Sequence, residues 1–161
     1  MSKLLYFAYG SNLHPNWLKS RTPSAKMLGL ASLAGYRLHF NKAGLDGSGK
    51  CNIVKTTGES EIIHGVVYEF PVHEKSVLDE AERGYQQERI QIGDFSDVLV
   101  YLCEQSSLAG KAPYSWYQDI VLAGATMHDF PASYLEHIAS FSARQDPDTE
   151  REQRFRNIVW P

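Results

Sequence analysis

Cysteine is scarce in this chain of 161 residues: only Cys51 and Cys103 occur, in separate strand-like stretches and with no CxxC pair. This excludes the disulfide framework on which small secreted domains depend, and a zinc site built on paired thiolates. Both residues read as buried thiols. Long apolar runs are missing as well. No stretch approaches the roughly 20 apolar residues of a bilayer-spanning helix, and residues 4–9 lack the form of a signal peptide, so a cytoplasmic protein with no membrane partner is expected. Positive charge is not in excess either. The 16 Lys and Arg stand against 19 Asp and Glu, a net charge of -3, which offers a phosphate backbone no basic field and argues against nucleic acid as a partner.

The usual catalytic signatures are equally thin. His14, His39, His64, His73, His128 and His137 are scattered, with no HxH or HExxH pair, and there is no GxSxG elbow or Cys-His arrangement. Metal-dependent and nucleophilic hydrolysis therefore lack their normal supports, and no metal site is expected. Gly44-Leu45-Asp46-Gly47-Ser48-Gly49-Lys50 does spell GxxxxGK. Yet Cys51 stands where a P-loop needs Ser or Thr for magnesium, and residues 51–56 read as a β-branched strand rather than a helix facing phosphates. The segment is expected to be a flexible loop.

What is present is the balance of a folded domain, 43% hydrophobic and 22% charged, enough for one domain over residues 1–161. Apolar alternation and β-branching mark strands at residues 4–9, 36–40, 51–56, 62–70, 89–92 and 98–103. Helical spacing marks residues 14–21, 74–82, 117–127 and a stretch opening at Ser133. Residues 144–161 are either a polar tail or a helix docked through Phe155, Ile158 and Trp160. With strands in the first two thirds and helices in the last, the pattern predicts an α+β fold on a curved or barrel-like mixed sheet.

Two stretches carry candidate chemistry. Residues 4–9 form an apolar strand that runs straight into Gly10, Ser11 and Asn12. Glycine there permits close approach of a ligand to the main chain, Ser11 and Asn12 supply hydroxyl and amide, and N–H groups after such a turn can hold a carboxylate or an oxyanion. The same pattern also describes a plain turn in which Asn12 caps the next helix. The second stretch is Leu78-Asp79-Glu80-Ala81-Glu82-Arg83-Gly84-Tyr85. Ser76 precedes Asp79 at capping-box spacing, and Val77, Leu78 and Ala81 share a face. Glu82 lies one turn beyond Leu78 and projects from the buried side, whereas Asp79 and Glu80 point elsewhere. Burial and the negative end of the helix would both raise its pKa towards that of a proton shuttle. The alternative is a solvated acid cluster paired with Arg83 or Arg89.

Taken in order, Tyr6-Phe7-Ala8-Tyr9-Gly10-Ser11-Asn12-Leu13, His64-Gly65-Val66-Val67-Tyr68, Leu78-Asp79-Glu80-Ala81-Glu82 and Tyr117 upstream of Gly124-Ala125 resemble the γ-glutamylcyclotransferase family over residues 4–134. The resemblance implies a small mixed β-barrel flanked by helices, no cofactor, a small-molecule γ-glutamyl substrate and, often, a homodimer. It further implies that the substrate's α-amine attacks its own γ-carbonyl, closing 5-oxoproline and expelling an amino acid or amine. Glu82 would be the general acid and base, Tyr6, Phe7, Ala8, Tyr9, Gly10 and Ser11 would bind the glutamyl part, and Tyr117 would hydrogen-bond the substrate. One departure stands out: the family places glycine directly after the acid, whereas here Arg83 intervenes before Gly84, which would turn Glu82 or bring a cation to it. Glu80 is then the other candidate base. A non-catalytic module for γ-glutamyl-like or other small carboxylate ligands, and removal of a γ-glutamyl protecting group, are the other readings. The leaving group is not legible, because its contacts would fall in the loops at 46–50 and 104–115.

Overall fold

An unbroken apolar run suits a strand covered on both faces, and β1 (Lys3–Ala8) accordingly buries Leu4, Tyr6, Phe7 and Ala8. In the computed structural model, which describes residues 2–103 and 110–161, β1 is the middle strand of a five-stranded mixed sheet. It pairs antiparallel with β5 (Ile62–Pro71) and parallel with β7 (Phe95–Leu102). β2 (Lys26–Ala34) lies outside β5, and β6 (Gln86–Ile92) outside β7, giving the order β2-β5-β1-β7-β6. β3 (Tyr36–Ala43) and β4 (Gly49–Lys55) form a separate antiparallel pair. Residues 104–109, the start of the polar loop expected after β7, lie outside the described residues.

The α+β expectation and the mixed sheet hold, but the barrel is corrected: the sheet is not closed, and β2 and β6 remain edges. Both edges carry features that discourage further pairing. β6 exposes Gln86, Gln87, Glu88 and Arg89, and the register of β2 shifts between Met27 and Gly29.

Five helices pack around this framework among the described residues. α1 (Pro15–Lys19) is capped by His14, whose Nδ1 accepts from the Asn16 N–H at 3.2 Å, so the expected cap at Asn12 is not made. α2 (Lys75–Ala81) buries Leu78 alone; Val77 and Ala81 are exposed. Ser76 and Asp79 form no capping box there, because the Asp79 carboxylate is taken by Lys75 and by the Tyr101 hydroxyl. α3 (Ser115–Met127) buries Trp116, Tyr117, Ile120, Val121, Gly124 and Ala125. Gly124 brings it hard against the turn that follows β1: a Cβ there would stand 2.7 Å from that of Leu13. Any larger residue would push the turn off the helix. α4 (Ala132–Ala139) buries Tyr134 and Ile138, and α5 (Thr149–Val159), capped by Asp148, sets Phe155 edge-on to Trp17 at 5.4 Å. Trp160, expected to dock, is 45% exposed; Val159 fills that role instead. Each fully buried Leu, Ile or Phe contributes about 1.5–3 kcal/mol. None of the described helices is long and apolar enough to cross a membrane.

Candidate active site

β1 ends in the centre of the sheet, and Tyr9 and Gly10 lead into a single 3-10 turn, Ser11–Leu13. Gly10 lies so close to β4 that a Cβ would stand 2.9 Å from that of Cys51, which fixes the height of the turn. From the other side, α2 stops at Glu82, and Gly84 reverses the chain with φ +93°. Glu82, Gly10 and Ser11 thereby line one recess of about 30 Å³, together with Tyr6, Asn12 and Tyr117. The recess adjoins a wider cleft of about 250 Å³, and Ser11, Glu82, Tyr85 and Tyr117 line both.

Glu82 is the one carboxylate of the inner recess among the described residues. Its Oε1 accepts from Asn12 Nδ2 at 3.0 Å; the same nitrogen lies 2.9 Å from the Tyr6 hydroxyl, and the Asn12 carbonyl accepts from Arg21 Nη1 at 3.3 Å. Burial raises the Glu82 pKa. Arg21, Lys42 and the Asn12 bond all work against it, and burial wins. The tyrosines beside it stay protonated for the same first reason, burial, with the Glu82 charge adding to it at Tyr6, Tyr9, Tyr85 and Tyr117. Tyr117 accepts from the Cys51 N–H at 3.0 Å, and Tyr85 donates to the Cys51 carbonyl at 2.5 Å, so two hydroxyls hold one residue of β4 against the recess. Burial pushes the Cys51 thiol up to about 12, which makes it an inert wall and not a nucleophile. Cys103 is buried likewise.

Arg83 does not disturb this arrangement. Its guanidinium pairs with Glu80 on the exposed side of α2, and its carbonyl accepts from Lys42 Nζ at 2.8 Å. The cations that act on Glu82 are Arg21 and Lys42. Glu80 points to solvent, with 68% of its side chain exposed.

The family model for gamma-glutamyl cyclotransferase, AIG2-like, matches residues 6–119, a span that holds the turn, Glu82 and Tyr117. This chain belongs to that family. Gamma-glutamylcyclotransferase from Homo sapiens is 27% identical to it over 151 residues, 83% of this chain and 76% of that protein. A solved gamma-glutamyl cyclotransferase superposes with a TM-score of 0.82 at 22% identity, covering 96% of this chain and 98% of that one. A human protein of uncharacterised function superposes with a TM-score of 0.77 at 23% identity, covering 94% and 98%. These two likenesses establish the cyclotransferase fold.

Of the residues expected to form the site in this cyclotransferase-family chain, Tyr6, Tyr9, Gly10, Ser11, Glu82 and Tyr117 line the recess. Phe7 and Ala8 line neither cavity: they are fully buried within β1, where Phe7 faces away from Tyr6, as strand periodicity requires, and Ala8 pairs with Val66. Tyr9 is on the wall, but its hydroxyl is committed to the Tyr101 carbonyl at 2.6 Å. Arg21, Lys42 and Tyr85 were missed, whereas Asn12 was expected only as an amide of the turn or a helix cap, and Lys50 only as part of the 46–50 loop. For Lys42 a signal existed, since Leu38, Phe40 and Lys42 alternate inward along β3.

The GxxxxGK segment is a fastened turn, not the loose loop expected. Asp46 accepts from the Ser48 N–H at 3.0 Å, the Ser48 hydroxyl at 2.6 Å and Lys50 Nζ at 2.9 Å, while the Gly49 N–H donates to the Ala112 carbonyl at 3.1 Å. Strand β4 follows it, so no helix N-terminus faces a phosphate. Lys50 lies over the Tyr117 ring, 4.5 Å from its centre, on the wall of the outer cleft.

Proposed function

We propose that this chain is a γ-glutamyl cyclotransferase: it cyclises the γ-glutamyl group of a small γ-glutamyl amino acid or amine to 5-oxoproline and releases the amine. The observation that carries the reading is that Glu82 and the Gly10–Ser11 backbone line a single recess in a chain of this family. Glu82 takes protons from the substrate's α-ammonium, the freed amine attacks the γ-carbonyl carbon, and a C–N bond forms as the original amide C–N bond breaks. Both protons shed by the attacking nitrogen end on the leaving nitrogen, which departs as an ammonium. A carboxyl whose pKa is raised suits that exchange in both directions.

Tyr6, Tyr9, Gly10 and Ser11 form the glutamyl side of the site, with main-chain N–H groups of the turn on the glutamyl carboxylate or on the developing oxyanion. Tyr117 hydrogen-bonds the substrate, and Phe7 and Ala8 support the turn from within the sheet. No protein nucleophile and no cofactor enters these steps. The attack is intramolecular, so the enzyme's main contribution is orientation, on the order of 7–11 kcal/mol of the barrier in the best-aligned cases. A cytoplasmic homodimer completes the proposal.

Incubation of the protein with γ-glutamyl-alanine should release 5-oxoproline and alanine, identified by mass spectrometry, and Glu82→Gln should lower the rate by about 10²–10⁴-fold while ligand binding persists. Full activity in that variant would remove Glu82 from its role. Binding without product across a panel of γ-glutamyl compounds would make the chain a carboxylate-binding module instead.

A further inference from the structure

We propose that Lys42 is a positioning residue for Glu82: from β3 it fastens the turn in which α2 ends, fixing where the carboxylate stands and placing a positive charge near it. This rests on the reading of Glu82 as general acid and base, and concerns how that residue is held. The inward positions of β3 run Leu38, Phe40, Lys42, so an apolar alternation ends in a lysine only 5% exposed. Position 42 is a costly place for a cation. Burial works against its charge, and its cross-strand partner on β4 is Lys50, a second cation, where the register slips between His39 and Lys42. Neither packing nor strand pairing calls for lysine there.

What the ammonium holds is the end of α2. Glu82 closes that helix, and the Tyr85 N–H donates to the Glu82 carbonyl at 3.1 Å, which makes Glu82 the first residue of a four-residue turn. Lys42 Nζ donates to the Arg83 carbonyl at 2.8 Å and lies 4.8 Å from the centre of the Tyr85 ring. A Cβ on Gly84 would stand 2.8 Å from the same Nζ, so the glycine that reverses the chain also makes room for the ammonium. Three successive residues of the turn therefore meet one side chain, and the acid is the residue before them. Arg83, standing between the acid and the glycine, offers its carbonyl to Lys42 while its guanidinium pairs outside with Glu80. A cation at the carbonyl end of a helix also opposes the negative potential that Glu82 meets there.

The charge of Lys42 reaches the same carboxylate. Arg21 and Lys42 both favour the ionised form of Glu82, as does the Asn12 bond. The other titratable groups about it, Tyr6, Tyr9, Tyr85, Tyr101, Tyr117 and Cys51, are held neutral by burial. Lys42 itself faces Cys103, Glu82 and Asp46. Arg21 acts through Asn12, whereas Lys42 binds the backbone that carries the acid.

The test follows release of 5-oxoproline from γ-glutamyl-alanine across pH in the wild type, Lys42→Met, Lys42→Gln and Lys42→Arg. Methionine keeps the length and the apolar stem but loses the charge and the bond. In Lys42→Met kcat should fall roughly tenfold with KM within about threefold. The acidic limb of kcat/KM should move to higher pH, because loss of the cation disfavours ionised Glu82. Lys42→Arg should return the limb and most of kcat. Glutamine is neutral but can still donate to the Arg83 carbonyl, so Lys42→Gln should move the limb with a smaller loss of kcat, and it carries the test if Lys42→Met does not fold. Lower stability with wild-type kcat and an unmoved limb would make Lys42 merely structural and overturn the inference. A loss confined to KM would overturn it too, by placing Lys42 on the substrate. If the wild type releases no 5-oxoproline from a panel of γ-glutamyl compounds, the cyclotransferase reading fails, and NMR titration of the isotope-labelled Glu82 carboxyl, assigned by its loss in Glu82→Gln, decides this inference independently. A midpoint raised in Lys42→Met and restored in Lys42→Arg supports it, and an unmoved midpoint overturns it.

Discussion

Asn12 Nδ2 lies 3.0 Å from Oε1 of Glu82, and Oε2 has no hydrogen-bond partner among the described residues. One oxygen is therefore pinned while the other remains open to exchange a proton. The asparagine is itself held, since its carbonyl accepts from Arg21 and its nitrogen reaches the Tyr6 hydroxyl. A residue that touches Tyr6, Arg21 and the acid orients the carboxylate and also lowers its pKa, partly offsetting burial.

The first prediction concerns that bond. A general base works only when ionised, so activity should fall as pH drops through the Glu82 pKa, and burial sets that limb above the ordinary glutamate value of about 4.3. Asn12→Ala removes an interaction that favours the ionised form. The acidic limb of kcat/KM should move to higher pH, and kcat at the optimum should fall by roughly tenfold as the carboxylate loses its orientation. A pH–rate profile of the variant checks both, and a limb that stays in place would deny Asn12 its effect on Glu82.

The second prediction is about stability. Because burial raises the Glu82 carboxyl above its unfolded value, the folded chain holds that proton more tightly than the unfolded chain does. The stability linked to it is fully present below about pH 4.3 and is lost as pH rises through the folded value. Glu82→Gln stays neutral and escapes that loss. Relative to wild type, its Tm should gain more at about pH 8 than at about pH 4, even as activity falls, if Glu82 is the base proposed above. Thermal melts at the two pH values read it directly.

Much of this site is written locally. An apolar strand that breaks into glycine announces the turn, and the spacing from Leu78 turns Glu82 inward, because strand and helix periodicities are properties of neighbouring residues. Asn12 shows where local pattern stops. An amide just before a helix serves equally as a cap or as a partner for a distant acid, and what decides between them is Glu82, 70 residues away. His14 takes the cap instead. Lys42 was within reach, since carrying the alternation of β3 two residues past Phe40 puts its ammonium inside. The open sheet was not, because whether β2 and β6 meet depends on twist and on edge chemistry summed over five strands.

Tyr117 supports a third prediction. Its hydroxyl accepts from the Cys51 N–H, a bond buried behind Gly10. Tyr117→Phe leaves that N–H without an acceptor, at a cost of about 1–3 kcal/mol. Denaturant unfolding should show the loss, and KM should rise as β4 and the recess relax. A variant of unchanged stability with only a raised KM would confine Tyr117 to the substrate.

Asp146 anchors the last element to this site. It is fully buried, accepts from Trp116 Nε1 at 2.9 Å and from the Asp148 N–H at 2.8 Å, and takes Arg151 through two bonds of 2.8 and 2.6 Å. Trp116 and Arg151 both line the outer cleft, so the same carboxylate ties α5 to the wall on which a leaving group would rest. The Arg151 bonds, ahead of the opposing effect of burial, hold its carboxyl well below the usual range. A depressed carboxyl contributes stability that is present above the unfolded value of about 3.9 and is lost as pH falls through the folded value. Asp146→Asn should therefore destabilise the protein at neutral pH, on the order of 3 kcal/mol, because it leaves Arg151 with an uncompensated charge. Wild type and variant should begin to converge only below about pH 4, and meet only as pH approaches the much lower folded value at which the wild type loses the same interaction to protonation. Urea midpoints measured from neutral to acid pH test this, and a gap that stays constant across that range would show that the Asp146 charge contributes nothing.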